Sequence, residues 1–184
     1  MEITTVSLPG VLVLKPKRFQ DNRGFFCETY NKQRLKEVGI DVEFIQDNIS
    51  LSKLRGTLRG LHFQTDPFAQ AKLVSVVKGA ALDVVVDLRC SSPTFSQHFS
   101  IELSEAEGEQ LFIPVGFAHG FLTLTPDTLF AYKVSEYSAP DHDTGIRFDD
   151  DVLGINWREQ PDLIVASDKD RQLPCFDPKA TYFA

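Results

Sequence analysis

Cysteine is scarce in this sequence: Cys27, Cys90 and Cys175 make an odd number with no CxxC spacing. That excludes a disulfide framework and a thiolate metal site, and all three are expected to be buried free thiols. No apolar run approaches membrane-spanning length, and Pro9 and Gly10 interrupt the amino-terminal stretch early. The expectation is a cytoplasmic protein with no membrane attachment. Basic residues are in deficit, 19 Lys and Arg against 26 Asp and Glu, for a net charge of -7. This excludes the broad cationic face used to bind nucleic acid, although a few Arg and Lys gathered in one cleft can still focus a field on a small phosphorylated ligand. Also missing are a Gly-rich phosphate loop ahead of a helix, a GxSxG nucleophile elbow, internal repeats and low-complexity tracts.

What is present reads as one domain spanning residues 1–184, long enough to bury a full core. Phe occurs 15 times and Met once, which favours stiff, well-specified packing. Short apolar, β-branched and aromatic segments recur at Val11–Leu14, Phe25–Tyr30, Glu43–Asp47, Lys72–Val77, Leu82–Leu88, Phe99–Leu103, Phe121–Leu124 and Leu129–Val134. In the Phe99 segment, Phe99, Ile101 and Leu103 alternate with Ser100 and Glu102, as in a half-buried strand. Asn31–Val38 reads as a helix between Asn31 and Gly39, and a second short helix is expected after Pro161. So many strands with so few helices predict an all-β sandwich or jelly roll, with the tail after Asp170 packed along its surface.

The candidate chemistry starts at Arg59-Gly60-Leu61-His62-Phe63-Gln64. On a strand, His62 points to one face while Leu61 and Phe63 point to the other. A lone histidine in such a place is most often a core residue satisfied by a backbone carbonyl. Here, however, Arg23, Glu28, Gln46, Asp47, Asn48, Arg59, Lys72, His119 and Lys133 all sit in or beside apolar segments. His119 lies among Phe117, Gly120 and Phe121, Tyr132 closes a strand, and Asp168-Lys169-Asp170 has the form of a solvated charge run. None of these decides the matter singly. His62, His98, His119 and His142 include no closely spaced pair, and His62 is followed by Phe63 and Gln64, so a metal cage is not expected.

Taken together, the residues resemble the dTDP-4-dehydrorhamnose 3,5-epimerases, metal-free members of the cupin group. The resemblance runs from about Pro16 to Pro174 through DNRGFFCETY (Asp21–Tyr30), FIQDN (Phe44–Asn48), LRGLHFQ (Leu58–Gln64), AKLV (Ala71–Val74), GFAHGF (Gly116–Phe121), AYK (Ala131–Lys133), LGINW (Leu153–Trp157) and SDKD (Ser167–Asp170). It implies a cupin-type jelly roll with a few short peripheral helices, no cofactor, and a homodimer with exchanged strands. It also implies His62 as base with Asp170 holding its imidazole, Tyr132 as the acid on the opposite face, and Lys72 stabilising the enolate. Arg59 would meet the diphosphate of a dTDP-sugar, joined by Arg23 from the neighbouring subunit. Glu28, Gln46, Asp47, Asn48, His119, Asp143 and Lys169 would complete the substrate shell. Two positions depart from the family pattern. Asp143 stands where Glu is usual, and Ser138 stands where a Tyr usually stacks on the thymine, so that either Tyr137 just ahead of it substitutes or the nucleotide is held differently.

These residue types suit the reaction so implied, the inversion of C3 and C5 beside the ketone of dTDP-4-keto-6-deoxy-D-glucose in deoxysugar biosynthesis. A carbon acid next to a ketone leaves an enolate, which a cation such as Lys72 stabilises. A histidine titrates near operating pH and serves as base, and inversion then needs a second group on the far face to return a proton. The alternatives are a single-carbon epimerase, a metal-dependent cupin enzyme and a non-catalytic nucleotide-sugar binder.

Overall fold

The computed structural model describes all residues, 1–184. The chain begins with β1 (Glu2–Thr5), β2 (Leu12–Lys15), β3 (Arg18–Asp21) and β4 (Gly24–Cys27), then helix α1 (Lys32–Glu37). Next come β5 (Gln46–Ser52), β6 (Leu58–Gln64), β7 (Lys72–Lys78), β8 (Ala80–Asp87) and β9 (His98–Ser104). The last strands are β10 (Gln110–Ile113), β11 (Phe117–Thr123), β12 (Thr128–Val134) and β13 (Asp143–Gly145). A 3-10 turn at Pro161–Leu163 and helix α2 (Asp168–Arg171) follow. No helix is long and apolar enough to cross a membrane.

Two antiparallel sheets make the body of a jelly roll. One has the order β1-β2-β10-β7-β12-β5 and the other β13-β6-β11-β8-β9, while β3 and β4 form a separate hairpin. Alternation sets what lies between the sheets. Val74 and Val76 of β7 and Phe130 of β12 meet Ala81 and Val85 of β8 and Phe117 and Phe121 of β11, with Phe121 and Phe130 stacked at 4.0 Å. The other face of the five-stranded sheet carries Leu58, Leu61, Leu82, Val84 and Val86. It is covered by residues that follow β13, among them Ile146, Phe148, Leu153 and Trp157.

The segments expected to be strands fall on strands with shifted ends. β5 begins at Gln46, where the apolar signal of Glu43–Asp47 fades, and β11 begins at Phe117 and so takes in His119. The helix expected over Asn31–Val38 is α1, with the Asn31 side chain accepting from the Arg34 amide. After Pro161 the chain makes a 3-10 turn, and a capped helical turn forms only at Asp168. One expectation is corrected. Cys90 and Cys175 are exposed and Cys27 is half-buried, so the thiols are free but not buried. The tail after Asp170 does run along the surface, most of its residues exposed, and is anchored there by the buried side chains of Leu173, Phe176 and Phe183, with Phe63 packed edge-on against Phe183 and Tyr182.

The layer beneath the five-stranded sheet yields the first prediction. Leu82 is fully buried on the interior strand β8, so Leu82→Ala should cost about 2 to 5 kcal/mol in urea unfolding. A loss below about 1 kcal/mol would contradict this packing.

Candidate active site

One cavity of about 560 Å³ opens between the two sheets. His62 on β6 and His119 on β11 reach it from the five-stranded sheet, cross-strand partners in the β6–β11 pairing. Lys72 on β7 and Phe130 and Tyr132 on β12 reach it from the facing sheet. A third wall is the segment Val165–Asp170, tied to β6 by the backbone bonds Val165 N to Gly56 O and Leu58 N to Val165 O, both 2.9 Å. That tie places α2 behind His62.

The His62 Nε2 and Asp170 Oδ1 atoms are 2.5 Å apart, with the imidazole 30% exposed to the cavity and the carboxylate buried. Ser167 supports the carboxylate twice. Its hydroxyl donates to Asp170 Oδ2 at 2.9 Å, and as the helix cap it accepts from the Asp170 amide at 3.1 Å. Burial alone would raise the Asp170 carboxyl, but the hydrogen bond and charge of His62 and the Ser167 hydroxyl outweigh it, holding the group below the usual range. An ionised partner fixes the ring and stabilises an imidazolium.

Across the cavity, loss of hydration pulls the Lys72 ammonium down from 10.5 to about 8, opposed by the charges of Asp143 and Asp83. Tyr132 is half-buried, and burial raises its phenol, partly offset by Arg59. A raised phenol keeps its proton near neutrality and can give it up as an acid. Arg59 lies at the mouth, its guanidinium held by Ser52 Oγ at 3.3 Å and Leu51 O at 3.4 Å. Lys169 also lines the cavity and pairs with Asp143 at 2.5 Å on the rim, so the shorter Asp side chain still finds a partner.

The structure therefore brings together His62, Lys72, Tyr132, Asp170, Arg59, His119 and Lys169 around one space, with Asp143 at its edge. It does not bring the remaining sequence-predicted residues into that lining. Arg23 sits on the β3–β4 turn, 84% exposed, paired with Asp21. Glu28 pairs with Arg34, and Asp47 with Lys133 on the outer face of β5. Gln46 and Asn48 point the other way from Asp47 and bond to each other at 2.9 Å. Tyr137 is 61% exposed. No group of three or more His, Cys, Asp or Glu side chains is arranged to hold a metal ion.

Sequence reasoning missed Asp83, whose Oδ2 lies 2.9 Å from His119 Nε2. The signal was available: one carboxylate inside the otherwise apolar run AALDVVV on β8. It also missed Ser167, legible as a serine directly ahead of an acidic turn.

Such an arrangement, an imidazole–carboxylate pair facing a phenol across an enclosed space with an ammonium beside them, can move protons on two faces of one bound carbon acid. It defines a proton-transferring isomerase built on a cupin-type jelly roll. Comparison with known proteins gives the family. The sequence profile of the dTDP-4-dehydrorhamnose 3,5-epimerases matches residues 5–178. The dTDP-4-dehydrorhamnose 3,5-epimerase of Salmonella typhimurium strain LT2 is 45% identical over 180 residues, 96% of each chain. The crystal structure of the Bacillus anthracis enzyme of that name, with TDP and PPi bound, superposes with a TM-score of 0.92. It is 47% identical, covering 95% of this chain and 99% of that one. A Legionella pneumophila epimerase in complex with dTDP-4-keto-L-rhamnose gives 0.90 at 39% identity, covering 95% and 92%. The chain belongs to the dTDP-4-dehydrorhamnose 3,5-epimerase family.

The depressed Asp170 carboxyl has a stability consequence with a definite sign. A carboxylate favoured in the fold stabilises above the ordinary carboxylate value and ceases to as pH falls through its depressed one. Asp170→Asn should therefore lower the melting temperature most near pH 7, and the deficit should shrink progressively in acid below about pH 4. A deficit independent of pH between 7 and 3 would contradict the ionised pair.

Proposed function

We propose that the protein inverts C3 and C5 of dTDP-4-keto-6-deoxy-D-glucose, giving dTDP-4-keto-L-rhamnose for deoxysugar biosynthesis. One observation carries the reading: His62 with its Asp170 partner and Tyr132 enter one cavity from opposite sheets, with Lys72 between the same walls. In this reading His62 removes the proton beside the ketone, and the imidazolium is held by Asp170. Lys72 faces the ketone oxygen and takes up the enolate charge, an interaction that grows as the charge develops. Tyr132 returns a proton on the other face. Arg59 meets the diphosphate at the mouth, and Lys169, Asp143 and His119 hold the sugar.

The deuterium experiment follows from this division of labour. With Tyr132→Phe in deuterated water, a carbon next to the ketone should still take up deuterium, while inversion falls by about 10² to 10⁴. His62→Asn should abolish both. Wild-type epimerisation by Tyr132→Phe, read by NMR, would remove Tyr132 from the acid role. Undiminished exchange by His62→Asn would overturn the mechanism.

Arg23, Glu28 and the outer-face residues find their place in this reading through a homodimer. The β3–β4 hairpin exposes Phe19, Phe25 and Phe26 at 50, 56 and 69%, and the outer face of the six-stranded sheet exposes Ile49 at 64% and Val77 at 54%. Apolar groups so exposed call for a partner surface, and a second copy supplies one by symmetry. The hairpin would carry Arg23 to the neighbour's cavity. Co-expressed Arg23→Ala and His62→Asn chains, isolated as mixed dimers with two tags, should then regain activity at low substrate, because one site holds both intact residues. No gain over the two parent variants would refute an Arg23 contributed across the interface.

A further inference from the structure

Asp83 has no part in the mechanism above, yet it is the charged group most deeply placed beneath the cavity. Its carboxylate is fully buried on β8, on the face that also carries Ala81 and Val85 into the layer between the sheets. Opposite it on β11 stands Phe121, which stacks on Phe130. Only Oδ2 has a hydrogen-bond partner, the His119 Nε2 atom at 2.9 Å, and Oδ1 has none. A half-satisfied carboxylate in an aromatic layer costs stability, and an apolar side chain of similar size would cost less. Its presence there asks for a compensating role at the cavity above it.

We propose that Asp83 is a positioning residue for the epimerase reaction: from beneath the cavity it orients His119 and supplies the buried negative charge that keeps Lys72 an ammonium ion. The inference rests on Lys72 as the partner of the enolate oxygen, since only a charged amine serves there. Lys72 loses hydration on entering the site, and two negative charges, Asp143 and Asp83, oppose that loss. They differ in setting. Asp143 is at the rim, its side chain 34% exposed and already paired with Lys169, where water and salt screen it. Asp83 is wholly enclosed, and its field reaches the inter-sheet space without such screening. The other groups around the cavity are Arg59 and His62 on β6, His119 on β11 and Tyr132 on β12, with Lys169 and Asp170 from α2. Among these Asp170 is already committed to His62 and Ser167. Arg59 and Lys169 repel the ammonium, which leaves Asp83 as its enclosed counter-charge.

The sign is fixed. Lys72 acts while protonated, so activity falls as pH rises through its value near 8, and removing a negative charge moves that fall to lower pH. Asp83→Asn keeps the shape and a hydrogen-bonding group for His119 but removes the charge. The test is trace acylation with acetic anhydride across pH 6 to 10, followed by mass spectrometry of the Lys72 peptide in folded wild type and Asp83→Asn. The labelling midpoint should fall by roughly one pH unit in the variant, and the alkaline limb of kcat/KM should fall with it. Coincident midpoints overturn the proposal, whatever the variant does to activity. A shifted midpoint with an unmoved kcat/KM limb upholds the electrostatic link and instead refutes Lys72 as the enolate partner. If Asp83→Asn does not fold, the wild type still decides: a protected, downfield imidazole proton of His119 held by Asp83 is expected in the proton NMR spectrum. Its absence at low temperature overturns the proposal.

Discussion

Strands β6 and β11 approach more closely than any side chain at their crossing permits, and the cavity depends on that approach. A Cβ on Gly60 would meet Gly120 Cα at 2.5 Å, and one on Gly120 would meet Arg59 O at 2.9 Å. Gly60 also adopts a φ of 131°, in the region that side chains disfavour. With both positions bare, the pairing that sets His62 opposite His119 closes, although its register shifts between His119 and Phe121. That irregularity is where Arg59 turns toward the mouth and His62 toward the interior. The five-stranded sheet thus contributes an imidazole pair from adjacent strands, each ring backed by its own carboxylate, Asp170 behind one and Asp83 behind the other.

Burial is what makes these groups useful and also what they must overcome. Lowering an ammonium from 10.5 to about 8 reflects a cost on the order of 3 kcal/mol, at about 1.4 kcal/mol per pH unit. The same loss of water would make its attraction for an anionic oxygen bound beside it larger than in solvent. Asp170 shows the opposite balance, for its hydrogen bonds outweigh its desolvation and keep it ionised. The two walls are therefore tuned in complementary senses: one holds a carboxylate that favours a protonated imidazole, the other a phenol that favours its neutral form.

The fold class was legible because strand periodicity and turn residues are local properties. β10 was not, since Leu111, Phe112 and Ile113 are all buried and give no alternation, and β5 was misplaced because its inward positions are Gln46, Asn48, Ser50 and Ser52. Apolar pattern cannot locate a strand whose inner face is polar. For the site, the motif around His62 and the resemblance it carries indicated the residues that meet in space, including Asp170 at a separation of 108 positions. Asp83 escaped because a single buried carboxylate looks locally like an interruption of a core strand. Arg23, Glu28 and Asp47 stood out in the sequence only as polar residues beside apolar segments and took a substrate role from the resemblance; within a single chain nothing brings them to the cavity.

Depth ranks the charged residues by what each can contribute. At the rim, both side chains of the Lys169–Asp143 pair are partly exposed, and such a pair is worth little on its own. Its side chains exchange one partner for another at small cost, which suits groups that must release a product as well as bind a substrate. Further in, His62–Asp170 and His119–Asp83 are enclosed on the carboxylate side, and breaking either leaves a buried charge without its partner. These pairs cannot rearrange cheaply, so they hold geometry. In the reading proposed above, a nucleoside diphosphate handle gripped by adaptable charges outside and a sugar ring turned against fixed charges inside would separate affinity from chemistry.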